Sequence, residues 1–407
     1  MKVALLSRGA HPLHEPGGME RAVFHLARHL QSKGVETVLF TRPPTRTAAF
    51  PGEVVTVAYG PEKSHGRVLD RTLRYPRFSQ RLGAAVAERV RAGTVDVVDA
   101  QGLCALGYGR LRARDARLCA PLVMNPQGME EHRTQGVKRL ALARLRALSR
   151  AAARLADRVV ATDEATRDDV PRLLGVRADK VVVLPNGIDP DEVARLTPTD
   201  PAAVVHAALG GLDSAAPVFL SVGRLEAYKG FGDVWSALER LHRIGALPAR
   251  WAWVVVGAAP GGARVPRFAA PGLLAGRVHV TGRVSDELLH ALYARADVFV
   301  HATRFEGSSL VTLEAMAHGL PVVATCAGGI PDKVVEGETG LLAEPGDVTG
   351  LAEKLRQMVA APEAARAMGA RGRERARERF AWPALVERTI ALYHELIGAA
   401  RAGAARP

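Results

Sequence analysis

Two glutamates, Glu306 and Glu314, are separated by seven residues in the segment Phe305–Glu314. Glu306 follows an apolar run, and Ser308 or Ser309 is suited to cap a helix that carries Glu314. Apolar residues surround Glu314, so we expect its carboxylate to be half-buried, which is costly unless hydrogen bonds satisfy it. Ligand hydroxyls would supply those bonds. The pair therefore indicates a hydroxyl-binding site, and a capping or salt-bridging pair of glutamates is the structural alternative.

A basic pair follows another apolar run, Val218–Val222. Gly223 comes first, and Arg224 and Lys229 follow it closely. Arg binds a diphosphate as a fork and Lys binds it as a point charge, so the two cations suit that anion. A solvated basic loop is the alternative.

A glycine pair, Gly17 and Gly18, follows the first apolar run of the chain and precedes Glu20. Glycines allow the backbone to approach a ligand closely, and the free N–H groups of a helix start favour an anion or a hydroxyl. An ordinary strand-to-helix loop would have the same composition.

No part of the sequence resembles a set of metal ligands. Asp189 and Asp191 flank a proline and are interpreted as a turn. The three cysteines, Cys104, Cys119 and Cys326, are too widely spaced for a zinc site or a disulfide framework. We therefore expect no metal and no cofactor.

The elements that must position these residues are short apolar runs that alternate with helical patterns. Strands alternating with helices predict βαβ units and a parallel sheet. The pattern occurs twice, which predicts an α/β protein with two Rossmann-like, doubly wound domains facing across a cleft. The first set of predicted strands is Val3–Ser7, Thr37–Phe40, Val54–Ala58, Val95–Ala100, Leu122–Asn125 and Arg158–Thr162. The second is Val218–Val222, Trp253–Val256, Val278–Thr281, Val298–Ala302, Val322–Thr325 and Leu341–Ala343.

The predicted domains are 1–190 and 210–380, and the Pro-, Asp- and Gly-rich stretch between them is interpreted as a connection. A further helix is predicted over 382–400, after the second domain. In doubly wound sheets ligands bind beyond the carboxyl ends of the strands, where the residues described above are found.

The net charge of +13 favours anionic partners, but charge alone does not select one. Only 5% of the residues are aromatic and no nucleic-acid motif occurs, so a nucleic-acid partner is not expected. The first apolar run is too short for a signal peptide, and no stretch is long enough for a membrane span, so a cytoplasmic protein is expected. The basic helical stretch Lys138–Arg158 carries Leu140, Leu142, Leu145 and Leu148. Its leucines predict a core-facing helix, with peripheral contact to an acidic inner-membrane face as the alternative.

Together these motifs resemble glycosyltransferase family four, the retaining family with the GT-B fold. The resemblance covers nearly the whole chain. The glycine pair with Glu20, the Arg224–Lys229 loop, Asn186–Asp189, the glutamate pair and Gly328–Pro331 occur in the family's order. Trp382 and Tyr393 resemble the family's C-terminal helices, which cross back onto the first domain.

The resemblance implies a transferase that uses a nucleotide diphosphate sugar without a metal. Arg224 and Lys229 would hold the diphosphate and stabilise the leaving group, and Glu306 would bind the transferred sugar. Glu314 would bind the ribose hydroxyls. The remaining donor-binding positions implied are Gly17, Gly18, Gly223, Gly282, Arg283, Gly307, Ser309, Leu310 and Val311.

The acceptor or sugar side is implied to involve Glu20, Gln127 and His132. Many members have a histidine where this sequence has Gln127, which can form hydrogen bonds but cannot titrate. The sequence does not identify the nucleotide of the donor, which is UDP, GDP or ADP in the family. Nor does it identify the acceptor, which is a lipid carrier, a polysaccharide or a small metabolite.

Two alternatives share the fold and the donor: a nucleotide-sugar epimerase and a non-catalytic nucleotide-sugar binding protein. A Rossmann oxidoreductase is disfavoured, because the first loop lacks GxGxxG in register.

Overall fold

The computed structural model describes residues 1–15, 17–60, 70–132, 136–210, 212, 217–259 and 273–404. The chain forms two compact units. Unit 1 comprises Met1–Asn186 and the chain from Trp382 onward, and unit 2 comprises Gly187–Ala381.

Unit 1 is built on a seven-stranded sheet in the order β3-β2-β1-β4-β5-β6-β7. All neighbouring strands are parallel. The six strands predicted for this half are confirmed with shifts of one or two residues at most ends, and β7 is the strand that the sequence analysis missed. The strands are β1 Lys2–Leu6, β2 Glu36–Thr41, β3 Glu53–Thr56, β4 Val97–Gln101, β5 Leu122–Asn125, β6 Arg158–Ala161 and β7 Val181–Val183.

Both faces of this sheet are buried. Along β1, Val3 and Leu5 pack into one apolar cluster while Ala4 and Leu6 pack into another, as the two-residue period of a strand requires. The C-terminal helix covers the first of these faces, where Val386 and Tyr393 are fully buried. A parallel sheet covered on both faces has nearly continuous apolar strands, which explains why they were legible in the sequence.

The helices of unit 1 lie between its strands. The basic stretch predicted as one helix over 138–158 forms two helices that meet at Leu142, and Arg158 begins β6. Leu142 and Leu145 are buried, whereas Leu140 is 78% exposed, so only part of the stretch faces the core. Its contact with an acidic membrane stays a prediction. The α-helices are Gly18–Ser32, Tyr75–Arg91, Ala105–Arg112, Gly136–Ala141, Ala143–Leu155, Glu164–Arg167, Asp169–Leu174 and Trp382–Ala404.

Unit 2 is built on a six-stranded parallel sheet in the order β10-β9-β8-β11-β12-β13. Its strands alternate between two apolar clusters in the same way: Phe219 packs on one face, and Val218 and Leu220 on the other. All six strands predicted for this half are confirmed. They are β8 Val218–Val222, β9 Ala252–Val256, β10 Val278–Gly282, β11 Val298–His301, β12 Val322–Thr325 and β13 Gly340–Ala343.

The segment interpreted as a connection folds with unit 2 from Gly187 onward. Asp189 does not form a plain turn: its carboxylate accepts hydrogen bonds from the N–H groups of Asp191 and Glu192 and so caps a helix. The α-helices of unit 2 are Pro190–Leu196, Pro201–Leu209, Phe231–Arg243, Asp286–Arg295, Leu310–Ala317, Ile330–Lys333, Val348–Ala360 and Pro362–Phe380.

The predicted α/β class with two Rossmann-like domains is confirmed. Within the described ranges, no helix combines the length and the apolar character that crossing a membrane requires.

Candidate active site

The candidate site of unit 2 lies where its strand order reverses. β9 and β10 lie on one side of β8, whereas β11, β12 and β13 lie on the other. The loops that follow β8 and β11 therefore diverge and open a crevice at the carboxyl ends of these two strands, which is where open α/β sheets bind ligands. Lys229 is in the first loop and Glu306 is in the second.

Lys229 and Glu306 form an ion pair at this point. The Lys229 Nζ lies 2.6 Å from Glu306 Oε2, and the two side chains are 12% and 14% exposed. Burial alone would raise the pKa of Glu306, but the Lys229 ammonium and a hydrogen bond with His301 hold it well below its usual range. Glu306 is therefore a carboxylate, able only to accept hydrogen bonds.

Two glycines allow these loops to meet. Gly230 has φ of +70°, and a Cβ atom there would lie 1.8 Å from the carbonyl oxygen of Ala302. Gly328 has φ of +54°, and its Cβ would lie 1.8 Å from the carbonyl oxygen of Glu306. Each position needs glycine both for its left-handed conformation and for the approach of another backbone. Gly230 thus fixes Lys229 against the end of β11, and Gly328 supports the backbone of Glu306.

His301 is a site residue that the sequence analysis missed. It ends β11, its side chain is 2% exposed, and its Nε2 lies 2.8 Å from Glu306 Oε2. Burial lowers the pKa of His301, Glu306 raises it and Lys229 lowers it. The available signal was a histidine that closes the apolar run Val298–Ala302 shortly before Glu306.

Arg224 lies closer to the surface of the first loop. Its side chain is 50% exposed and lies 3.4 Å from the carboxylate of Glu226. Its Nη2 donates a hydrogen bond of 2.7 Å to the hydroxyl of Tyr228. Gly223 precedes it with φ of +158°, and its N–H donates to the carbonyl oxygen of Val256.

Glu314 lies within the helix Leu310–Ala317 and is half-buried, as expected. The hydroxyl of Tyr293, a second residue that the sequence analysis missed, donates a hydrogen bond of 2.9 Å to Glu314 Oε2. Tyr293 is fully buried, so it holds the carboxylate in a fixed position.

The expected serine cap of this helix is absent. Ser309 does precede the helix, but its side chain makes no capping hydrogen bond, because its hydroxyl lies 2.8 Å from the hydroxyl of Thr312. Ser308 Oγ is buried and has no hydrogen-bond partner among the described residues. Leu310 and Val311 form the first turn, where helical N–H groups lack partners within the helix.

Three further predicted positions of unit 2 lie at the end of a strand or in a loop. Gly282 ends β10 with φ of +71°, and Arg283 follows it with an exposed side chain. Gly307 follows Glu306, and its N–H lies 3.3 Å from Glu306 Oε1.

In unit 1 the strand order reverses between β1 and β4. Gly17 is the N-cap of the helix that follows β1, and Gly18 is the first residue of that helix. A Cβ atom at Gly17 would lie 2.4 Å from Glu20 Oε2, so Gly17 makes room for this carboxylate. Arg8, which the sequence analysis did not assign, also follows β1. Its guanidinium lies 5.3 Å from the ring centroid of Tyr75.

Gln127 belongs to a chain of hydrogen bonds in unit 1. Its Nε2 donates to Gln101 Oε1 at 2.6 Å, and Gln101 Nε2 donates to Asp99 Oδ1 at 2.9 Å. The hydroxyl of Tyr393, in the C-terminal helix, donates to Asp99 Oδ2 at 2.6 Å. Asp99, Gln101, Asn125 and Gln127 all line a cavity of about 40 Å³. The structure therefore links the predicted Gln127 to Gln101 and Asp99, which the sequence analysis missed, and to Tyr393, which it had assigned only to the C-terminal helix.

The environment of this chain differs from that of Glu306. Burial raises the pKa of Asp99 to about 6, against the opposing hydrogen bonds from Tyr393 and Gln101. Gln127 has φ of +58°, which is uncommon for a residue with a side chain and which clusters at functional positions.

His132 lies in a short helical turn, Glu130–His132. Its side chain is 1% exposed, and its Nε2 lies 3.9 Å from Glu131 Oε1. Burial lowers the pKa of His132.

Comparisons with known proteins agree with this geometry. Residues 16–192 match the model of Glycosyltransferase Family 4, and residues 209–375 match that of Glycosyl transferases group 1. The D-inositol 3-phosphate glycosyltransferase of Kineococcus radiotolerans is 31% identical over 434 aligned positions, covering 97% of this chain and 95% of that protein.

Two other proteins are also similar. The alpha-maltose-1-phosphate synthase of Mycolicibacterium smegmatis is 32% identical over 262 residues, which cover 61% of this chain and only 66% of that protein's length. The structure of sucrose-phosphate synthase from Thermosynechococcus elongatus superposes with a TM-score of 0.80 at 24% identity, covering 98% of this chain and 99% of that one. The chain therefore belongs to glycosyltransferase family four and is an enzyme of the GT-B glycosyltransferase type.

Proposed function

We propose that this enzyme transfers a sugar from a nucleotide diphosphate sugar to its acceptor with retention of the anomeric configuration. The observation that carries the proposal is the buried Lys229–Glu306 pair at the strand-order reversal of unit 2. A cation fixed beside a carboxylate can bind the donor's diphosphate while the carboxylate binds hydroxyls of the sugar.

We assign to Lys229 and Arg224 the role of binding the departing diphosphate and stabilising its negative charge. A positioned cation stabilises charge that develops in the transition state, and such electrostatic terms are usually the largest in catalysis. The two side chains supply positive charge by themselves, so the proposal includes no metal.

Glu306 is assigned to substrate binding rather than to nucleophilic attack. Its Oε2 already faces both Lys229 and His301, and its Oε1 lies near the N–H of Gly307. An oxygen held by two donors is a weak nucleophile. We therefore assign retention to same-face attack, in which the departing phosphate accepts the proton of the acceptor's hydroxyl.

Glu314 is assigned to the ribose hydroxyls. The Tyr293 hydroxyl donates one hydrogen bond to Glu314 Oε2. Because the two oxygens of a carboxylate together accept several hydrogen bonds, Glu314 can also accept from two vicinal hydroxyls. Ser308, whose buried hydroxyl has no partner within the described ranges, adds a group that a phosphate oxygen could satisfy.

Calorimetric titration with UDP-glucose, GDP-mannose and ADP-glucose tests the donor site. We expect one nucleotide to bind, and Glu314→Ala to weaken it about 10- to 100-fold, since a hydrogen bond to a charged group contributes about 1.5–3 kcal/mol. Glu374→Ala removes an exposed carboxylate of the same unit and should leave binding unchanged.

Each contrary outcome has a distinct meaning. Unchanged affinity in Glu314→Ala would remove the ribose assignment. Interconversion of the donor's sugar without an acceptor would indicate an epimerase, and binding without any turnover would indicate a non-catalytic binding protein.

For the acceptor we propose a small molecule that carries a phosphate group. The names of the three similar proteins each contain a phosphorylated sugar or inositol. In unit 1, Arg8 leaves 33% of its side chain exposed beside Asp70, at the end of β1. An arginine at that position is suited to bind a phosphate.

Transfer assays with paired acceptors, D-inositol 3-phosphate against inositol and glucose 1-phosphate against glucose, test this assignment. We expect transfer to a phosphorylated member only, and Arg8→Gln to lower kcat/KM for it about 10- to 100-fold with unchanged donor affinity. Transfer to a lipid carrier or a polysaccharide, with none to the phosphorylated compounds, would contradict the acceptor assignment alone.

A further inference from the structure

One carboxylate oxygen in unit 2 faces both an ammonium group and an imidazole that can become a cation. Glu306 Oε2 lies 2.6 Å from Lys229 Nζ and 2.8 Å from His301 Nε2. Because an ionised carboxylate can only accept, the Nε2 of His301 must carry a hydrogen and donate it. Lys229 supplies a full charge, whereas a neutral His301 supplies only a dipole.

Binding of a diphosphate would disturb this arrangement. Under the proposed function the Lys229 ammonium must serve the diphosphate, so its attraction to Glu306 is weakened. Glu306 then becomes a buried carboxylate without a counter-charge, and such a group is costly. The charged and titratable groups that face His301 are Glu306 and Lys229. Within the described ranges, His301 also stacks on the Phe299 ring, and its backbone carbonyl accepts a hydrogen bond from the Thr325 hydroxyl; neither group ionises near neutral pH.

We propose that His301 is a positioning residue that takes up one proton when the donor's diphosphate draws Lys229 away from Glu306. This inference rests on the proposed function and goes beyond it. The proton comes from solvent and is added at Nδ1, the ring nitrogen that does not face Glu306. The imidazolium then replaces the ammonium as the counter-charge of Glu306, which keeps its position beside the sugar.

The electrostatics of the free protein agree with this exchange. Burial lowers the pKa of His301, and the Lys229 charge lowers it further, while Glu306 raises it. When Lys229 turns towards a diphosphate, one lowering influence is weakened and the raising influence remains. The pKa of His301 therefore rises on binding, and the bound protein holds more protons than the free one.

The sign of the pH dependence follows from linkage. Because binding takes up a proton, donor affinity is highest at low pH and falls as pH rises through the window between the free and bound pKa values of His301. The steepest possible fall is about tenfold per pH unit. If Lys229 instead bridges Glu306 and the diphosphate, no proton is taken up.

Calorimetric titration in two buffers of different ionisation enthalpy counts these protons. The donors used are the sugar conjugates UDP-glucose, GDP-mannose and ADP-glucose. A phosphate monoester titrates near pH 6, and these diesters have no such group, so any proton counted belongs to the protein. We expect wild type to take up close to one proton per donor bound.

The decisive variant is His301→Gln, whose carboxamide can still donate to Glu306 but cannot titrate. We expect it to bind the donor within about tenfold of wild type and to take up no proton. His301→Asn serves if the first variant does not fold, as judged by circular dichroism. His206→Gln, a change at an exposed histidine of the same unit, should keep the wild-type proton count.

Three outcomes are distinguishable. Donor binding without proton uptake in wild type, or equal uptake in wild type and His301→Gln, overturns the role of His301 and leaves the proposed function intact. Failure of folded wild-type protein to bind any of the donors overturns the proposed function together with this inference.

Discussion

The two units each bury a carboxylate near the point where their strand order reverses, and the two carboxylates differ in charge environment. Asp99 in unit 1 accepts hydrogen bonds from neutral groups of Tyr393 and Gln101, and burial raises its pKa to about 6. Glu306 in unit 2 is also buried, yet Lys229 and His301 hold its pKa well below the usual range. Neutral donors alone do not offset desolvation, whereas a neighbouring cation does.

This difference suits two kinds of recognition. The Lys229–Glu306 pair contributes a cation that can meet an anionic ligand. In unit 1 the carboxylate instead orients a series of amides: Asp99 can only accept while ionised, so Gln101 must turn its nitrogen towards Asp99 and its oxygen towards Gln127. Gln127 then binds that oxygen through Nε2 and offers its own carboxamide oxygen as an acceptor for a hydroxyl.

The largest expected effect comes from removing the cation. Lys229→Met leaves Glu306 buried without its ammonium partner, which typically costs about 3–5 kcal/mol where His301 stays neutral and less where His301 takes up a proton. It should also lower transfer about 10²- to 10³-fold, because leaving-group charge is no longer stabilised. Urea unfolding and initial-rate assays measure the two effects.

The double variant Lys229→Met/Glu306→Gln is the control for this prediction. It removes both charges, so most of the stability should return while transfer stays low. If Lys229→Met alone unfolds like wild type, the ion pair does not stabilise unit 2.

The next prediction concerns the pH dependence of unit 1. Burial raises the pKa of Asp99 to about 6 in the folded protein, from an ordinary value of 3.8, so the folded state binds its proton more tightly. The contribution of this group to stability is therefore complete below about pH 3.8 and is lost as pH rises from there through about 6. A shift of about two units corresponds to about 3 kcal/mol.

Asp99→Asn removes this contribution. Other carboxylates titrate in the same range, so the quantity to measure is the difference in unfolding free energy between variant and wild type, from about pH 4 to about pH 7.5. We expect that difference to change by about 3 kcal/mol in favour of the variant as pH rises. A difference that is constant with pH would mean that Asp99 titrates normally.

The smallest expected effect comes from two glycine substitutions. They distinguish the cost of a clash with a neighbouring backbone from the cost of a left-handed backbone conformation. Gly328→Ala and Gly337→Ala both place a side chain at a left-handed φ, of +54° and +73°, but only at Gly328 does the new Cβ meet another backbone. Gly328→Ala should be less stable than Gly337→Ala by about 1–3 kcal/mol, the usual cost of overpacking. It should also weaken donor binding, because the clash is with the carbonyl of Glu306. Equal unfolding free energies and equal donor affinities of the two variants would show that the backbones at Gly328 and Glu306 can move apart in solution.

Much of the fold was predictable because a parallel sheet covered on both faces has apolar strands with polar loops. The exception, β7, consists of the three half-buried valines Val181–Val183, too short a run to distinguish from a loop. The reversal points could be located only from the strand order, since neighbours such as β1 and β4 are far apart in sequence.

The candidate site was predictable where its residues are local and chemically distinctive, as with Glu306, Glu314 and Lys229. The partners that fix them were not. Tyr393 contacts Asp99 although 294 positions of the chain separate them. His301, at the end of β11, and Lys229, after the neighbouring β8, both contact Glu306. Ser308 or Ser309 was expected to cap the helix because serine favours that position, but the hydroxyl of Ser309 lies against the Thr312 hydroxyl instead.

The composition of unit 1 from two separated segments has a consequence for biosynthesis. Unit 2 is continuous from Gly187 to Ala381, whereas unit 1 needs Trp382 and the residues after it. On the ribosome, unit 2 is therefore the first of the two whose full sequence has emerged. Asp99 is translated long before Tyr393, so the nascent first segment lacks one of the two donors to its buried carboxylate until Tyr393 has been synthesised. Chaperone dependence of this chain should accordingly be concentrated in its first half.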